Sequence, residues 1–77
     1  MKNLGPESRK KLEEVGIFNY KDLLQFDSIS VYVEVKKKFP DTSLNFLWAL
    51  EGAIQNKDWR DITKSEKQNL LWILGEK

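Results

Sequence analysis

Apolar positions are densest in residues 44–59, LNFLWALEGAIQNKDW, and no other stretch is apolar enough to form the centre of a core. Leu47, Leu50 and Ile54 fall at i, i+3 and i+7, which stacks them on one face of a helix. Phe46, Ala49 and Ala53 widen that face well beyond a narrow stripe, so this helix wants cover on more than one side. Thr42 or Ser43 offers its cap, and Asn56 or the charged run behind it offers its end.

Shorter elements flank it. Gly5-Pro6 reads as a turn in which glycine permits an unusual backbone angle and proline opens a helix at its first position. That helix covers residues 6–15, turns Leu12 and Val15 inward, keeps Arg9, Lys10 and Lys11 outside, and stops at a left-handed Gly16. A second helix, residues 20–26, has Asn19 as its N-cap with Asp22 three residues on. Phe18 and Leu23 have the spacing of a hydrophobic staple, and Leu23 and Leu24 are its expected core contacts.

Residues 28–39 admit two patterns. Ile29, Val31, Val33 and Val35 alternate like a strand, whereas Ile29, Tyr32, Val33 and Phe39 share a helical face. Nothing else in the chain alternates, so a strand would have no partner for its backbone groups. Asp27 or Ser28 also stands where a cap belongs, which favours a helix ending in Lys36-Lys37-Lys38 before Pro40. A last helix opens on the capping box Thr63-x-x-Glu66, buries Leu70, Ile73 and Leu74, and ends before Gly75. The expected fold is all-α, one domain over residues 1–77, a compact bundle of about five short helices.

Composition narrows the chemistry. With 77 residues the core is modest, and no cysteine is present to brace it. The absence of His and Cys removes the commonest general base, the commonest metal ligands and thiol catalysis. An enzyme is therefore not expected, nor is any cofactor or metal. No apolar run approaches the roughly 18 residues a membrane span needs, and MKNLGPESRKK is no signal peptide. A cytoplasmic location is the expectation. Thirteen basic against twelve acidic residues give a net charge of +1, which argues against tight non-specific DNA binding by an isolated copy.

The sharpest functional candidate is the turn and helix start Asn3, Leu4, Gly5, Pro6, Ser8, Arg9 and Lys10. Open backbone N–H groups at a helix start can receive a phosphate, and cations one turn on can neutralise its neighbour. A helix-hairpin-helix grips the DNA backbone in this way, although it needs a helix before its glycine turn and only three residues precede Leu4. The competing reading is a plain Gly-Pro helix entry with a solvated basic face. Lys36, Lys37 and Lys38 could add a phosphate contact if they share a surface with Arg9 and Lys10, but a helix C-terminus explains them without a ligand. Tyr32 and Trp48 are expected inside the core. Trp59-Arg60 is open between a cation–π pair and an interface anchor. Glu13, Glu14, Asp58 and Asp61 read as solvated surface.

Taken together, Asn3-Leu4-Gly5-Pro6, Ser8, Leu12, Gly16-Ile17, Asp22-Leu23, Ser43-Leu44-Asn45, Ala49-Leu50-Glu51-Gly52-Ala53 and Trp59 resemble the C-terminal domain of the TfoX (Sxy) family, bacterial regulators of DNA uptake and competence genes. The first segment is also similar to the helix-hairpin-helix part of the C-terminal domain of the RNA polymerase alpha chain. The resemblance implies an all-helical fold and a helix over residues 28–39. It implies a non-catalytic module in transcriptional activation, touching double-stranded DNA weakly, a DNA-bound activator, or RNA polymerase. An alternative is a module that docks on a regulator or polymerase without DNA contact. Members of that family commonly carry another domain in front; Met1 and Lys2 fit a stand-alone copy, the alternative being an excised fragment. The last helix, with Leu71 and Trp72 beside its core positions, also offers a homodimer surface.

Overall fold

The computed structural model describes residues 4–75. Its element order is α1 (Pro6–Glu14), α2 (Tyr20–Leu23), α3 (Ser28–Lys38), α4 (Leu44–Gln55), a 3-10 turn (Trp59–Asp61) and α5 (Lys64–Gly75). No strand occurs among the described residues, and none of the helices is long and apolar enough to cross a membrane. The Cα radius of gyration is 11.4 Å, close to the roughly 11.5 Å of a well-packed chain of this length.

α4 is the centre of the bundle. Leu47, Leu50 and Ala53 are fully buried, and Phe46 and Trp48 nearly so, with α3 packed along it and the 3-10 turn folded back beside it. Asn56, at φ 57°, ends it in the left-handed region. The Lys57 N–H then reaches back to the Gly52 carbonyl and the Asn56 N–H to that of Ala53, the paired bonds of a Schellman stop. α1 ends the same way. Gly16 takes φ +86°, and the Ile17 N–H bonds the Leu12 carbonyl, bringing the buried side chains of both residues together.

α3 is a helix, but its face differs from the expected one. Ser28, Val31, Tyr32 and Val35 form its buried stripe with Ile29 beside them, while Val33 and Phe39 are only half-buried. The alternating valines are explained by cover on two sides, from α4 and from α1. α2 is shorter than expected, and Leu24 is half exposed, because the chain turns out of the helix at that residue. Phe18 stays largely in solvent, so it staples little against Leu23. α5 runs through Gly75, and only Leu70 is buried, with Ile73 and Leu74 at the core's margin.

Four helix starts are capped by side chains. Asn19 Oδ1 accepts from the Asp22 N–H at 2.8 Å, Asp27 Oδ1 from Ser30 at 2.6 Å, and Asp58 Oδ1 from Arg60 at 2.9 Å. In α5 the capping box is complete: Thr63 Oγ1 accepts from the Glu66 N–H at 3.1 Å, and Glu66 Oε2 from the Thr63 N–H at 2.9 Å. Thr42, one of the two caps expected for α4, turns the other way. Its hydroxyl and N–H both bond the Phe39 carbonyl, closing the end of α3.

Candidate nucleic-acid interface

The α1 start is left open. Gly5 occupies the N-cap position and has no side chain to bond the first N–H groups, and Pro6 follows at the first helical position. The Arg9 N–H closes the first turn onto the Gly5 carbonyl at 3.0 Å. Gly5 does not use an unusual backbone angle: φ is −80° and ψ −176°, extended backbone of the kind any residue before a proline adopts. A Cβ built there would meet nothing within 4 Å. The fold itself therefore makes no demand for glycine at this position.

The other expected site residues divide. Leu4 is buried in the core, so its side chain anchors the turn and faces no ligand. Asn3 lies outside the described residues. Ser8 is half-buried, whereas Arg9 and Lys10 are exposed and make no ion pair or hydrogen bond through their side chains to another described residue. Glu7 is exposed in the first turn. α1 as a whole has no net charge, with Arg9, Lys10 and Lys11 set against Glu7, Glu13 and Glu14. Lys11 leans inward, its ammonium 5.7 Å from the ring centroids of both Phe39 and Phe46.

The lysine run mostly closes its own helix. Lys36 Nζ donates to the carbonyls of Pro40 at 3.1 Å and Thr42 at 2.9 Å, and Lys37 Nζ lies 3.2 Å from Glu34 Oε1. Lys38 remains exposed beyond them. Phe39, the next residue, borders a cleft with Lys10 and Lys11 but also with Glu7, Glu13 and Glu14, and none of Lys36, Lys37 and Lys38 lines it. Arg60 forks onto the Asp58 carboxylate with two contacts of 3.2 Å, and this hydrogen bond and charge hold its guanidinium above its usual pKa. Tyr32 and Trp48 are buried as expected.

One feature was hidden in the sequence. Ser43 stands at the α4 N-cap position yet makes no capping bond. Ser8 near the start of α1 and Ser43 and Asn45 at the start of α4 line a single cleft of about 370 Å³, together with Lys11 and Trp59. Two helix starts without side-chain caps thus open beside one another. A serine ahead of a helix looks like a cap in sequence, and no pattern reveals that its hydroxyl is left unused.

Against this geometry stands the comparison with known proteins. The family model for the TfoX C-terminal domain matches residues 1–73. The chain belongs to the TfoX C-terminal domain family. A relative of this TfoX C-terminal domain is the DNA transformation protein TfoX of Haemophilus influenzae, 35% identical over 74 residues. That alignment covers 96% of this chain and 34% of the relative, so the domain spans about a third of that protein's length. No solved structure matches it.

Proposed function

We propose that this TfoX C-terminal domain is a non-catalytic binding module serving competence regulation, and that it touches the DNA backbone weakly through the Gly5-Pro6 turn. The observation that supports this reading is the uncapped start of α1, with Arg9 and Lys10 exposed one turn on. Backbone N–H groups at such a start, together with the positive end of the helix dipole, favour a phosphate oxygen. Gly5 offers an unobstructed approach that the fold does not require. The neutral balance of α1 limits the contact to two or three phosphates, so affinity must come from a second partner or a second copy.

An amide chemical-shift titration of the labelled protein with a short duplex at low salt tests it. Shifts cluster at residues 4–11 and weaken with salt at a log–log slope of about −2 to −3. The Arg9→Glu/Lys10→Glu variant loses them, and Gly5→Ala, which folds normally, reduces them. Silence at millimolar duplex sinks the reading. The second reading, docking on a regulator or RNA polymerase without DNA contact, is favoured by that same absence of net charge on α1.

A further inference from the structure

The turn between α1 and α2 holds two aromatic side chains out of the core. Phe18 is 67% exposed and Tyr20 37%, yet neither stands on a loose segment. The Phe18 N–H donates to Asp22 Oδ2 at 3.0 Å, and Asn19 Oδ1 accepts from the Asp22 N–H. The Tyr20 hydroxyl donates to the Ile54 carbonyl on α4 at 3.3 Å. These bonds fix the turn while ring surface stays in water, so a group that stacks there orders little that is not ordered already. Both rings line one cleft of about 290 Å³, together with Arg9 and Glu13 of α1 and the buried Ile17. Arg9 and Glu13 are four residues apart and exposed, and neither forms an ion pair among the described residues.

The cleft thus offers ring surface, a guanidinium and a carboxylate, none of them spent on another. A basic or an acidic peptide meets repulsion from one of the two charges. A nucleotide uses both: its base stacks on the rings, an exocyclic amine such as that of cytosine donates to the carboxylate, and its phosphate meets the guanidinium. The volume is near the roughly 300 Å³ at which small-molecule sites begin, room for one base and not for a run of them. Bases inside a duplex are stacked and present no free face. We infer that this cleft binds one unpaired, amine-bearing base of a single-stranded nucleic acid, with Phe18 and Tyr20 as its platform, Glu13 on its amine and Arg9 on its phosphate. The site is separate from the duplex contact at Gly5 and shares only Arg9 with it.

The probes are oligo(dC), oligo(rC) and oligo(dT) hexamers and an abasic hexamer with the same phosphates, each titrated into the labelled protein. An oligo(C) hexamer shifts the amides of Glu13, Phe18, Asn19 and Tyr20, and the tighter of the two names DNA or RNA as the source. The abasic hexamer binds at least fivefold more weakly. With one phosphate engaged on a single strand, the log–log salt slope is only about −0.7. Phe18→Ala weakens oligo(C) binding at least fivefold with the helical circular dichroism unchanged, Phe18→Tyr restores it, and Glu13→Ala erases the preference over oligo(dT). Equal binding of the abasic hexamer, an unaffected Phe18→Ala variant, or shifts confined to residues 4–11 overturns the inference. So does an amphipathic peptide that shifts these four amides at lower concentration than either oligo(C), because the rings then serve a protein partner. Gly5→Ala acts on duplex binding alone and Phe18→Ala on single-strand binding alone, so the two proposals fail separately.

Discussion

Ser28, buried at the start of α3, donates its hydroxyl to Glu51 Oε1 on α4 at 2.7 Å, joining helices whose linked residues are 23 apart in sequence. Gln55 donates to the other oxygen of the same carboxylate. Polar groups placed this deep must be satisfied, and among the described residues no buried side-chain nitrogen or oxygen lacks a partner.

Ser28→Ala removes one hydroxyl from that junction and leaves the Glu51 carboxylate with Gln55 alone. The expected loss is about 1–2 kcal/mol, the range for a bond to a charged acceptor that stays partly hydrated. Urea denaturation of Ser28→Ala, Glu51→Gln and the double variant measures it. A double variant no worse than either single one identifies the bond as the shared cause.

Leu47 and Leu50 are fully buried in the middle of α4. Leu47→Ala should cost about 2–5 kcal/mol through lost burial and the cavity left behind. A domain of this size has a total stability of only about 4–12 kcal/mol. The variant is expected to lose a large share of that stability, read as a markedly lowered thermal midpoint.

Gly16 and Gly5 respond differently to the same change. Gly16→Ala forces a Cβ onto a residue at φ +86° and should cost about 1–2 kcal/mol, although nothing crowds the position. Gly5→Ala sits on extended backbone in open space and should leave the thermal midpoint unchanged. Asn56→Gly, at the other left-handed stop, is expected to be neutral or slightly stabilising.

The Glu66 carboxyl is held below its usual pKa, first by the bond it accepts from the Thr63 N–H and then by the Lys57 ammonium. A lowered folded-state pKa means that the unfolded chain takes up the proton first as pH falls. The stabilisation is therefore complete above the ordinary value of about 4.3 and disappears as pH drops through the depressed one. Urea midpoints of Glu66→Gln should lie below those of the parent protein at neutral pH and converge with them in acid.

Local chemistry was readable from the residues. The caps at Asn19, Asp27 and Thr63, the stops at Gly16 and Asn56 and the helix at α4 all rest on groups a few positions apart. What failed depends on which surfaces meet. Leu24 looks like Leu23 in sequence, but only one of them finds neighbours. Thr42 has the chemistry of a cap for α4 and uses it on the Phe39 carbonyl instead. Lys36 reads as a cation at a helix C-terminus, but the carbonyls its ammonium meets belong to the loop after α3. The same holds for the candidate site. The Gly5 turn was visible because it is local, whereas the cleft joining Ser8 to Ser43 exists only once the helices pack.

α5 is fastened to the bundle by charge as well as by apolar packing. Lys57 lies 3.1 Å from Glu66 Oε1, the Lys67 ammonium sits 5.5 Å above the Trp48 ring, and Leu70 is buried with Ile73 and Leu74 at the core's margin. Salt weakens the ion pair and the ammonium–ring contact while leaving the apolar grip of α4 intact, so the last helix should lift before the rest melts. The three indoles are unequally placed for such an event: Trp72 and Trp59 already meet water, whereas Trp48 is 8% exposed. Detachment of α5 would thus be written in the emission colour of a single tryptophan, giving this small domain a built-in optical gauge of its own latch.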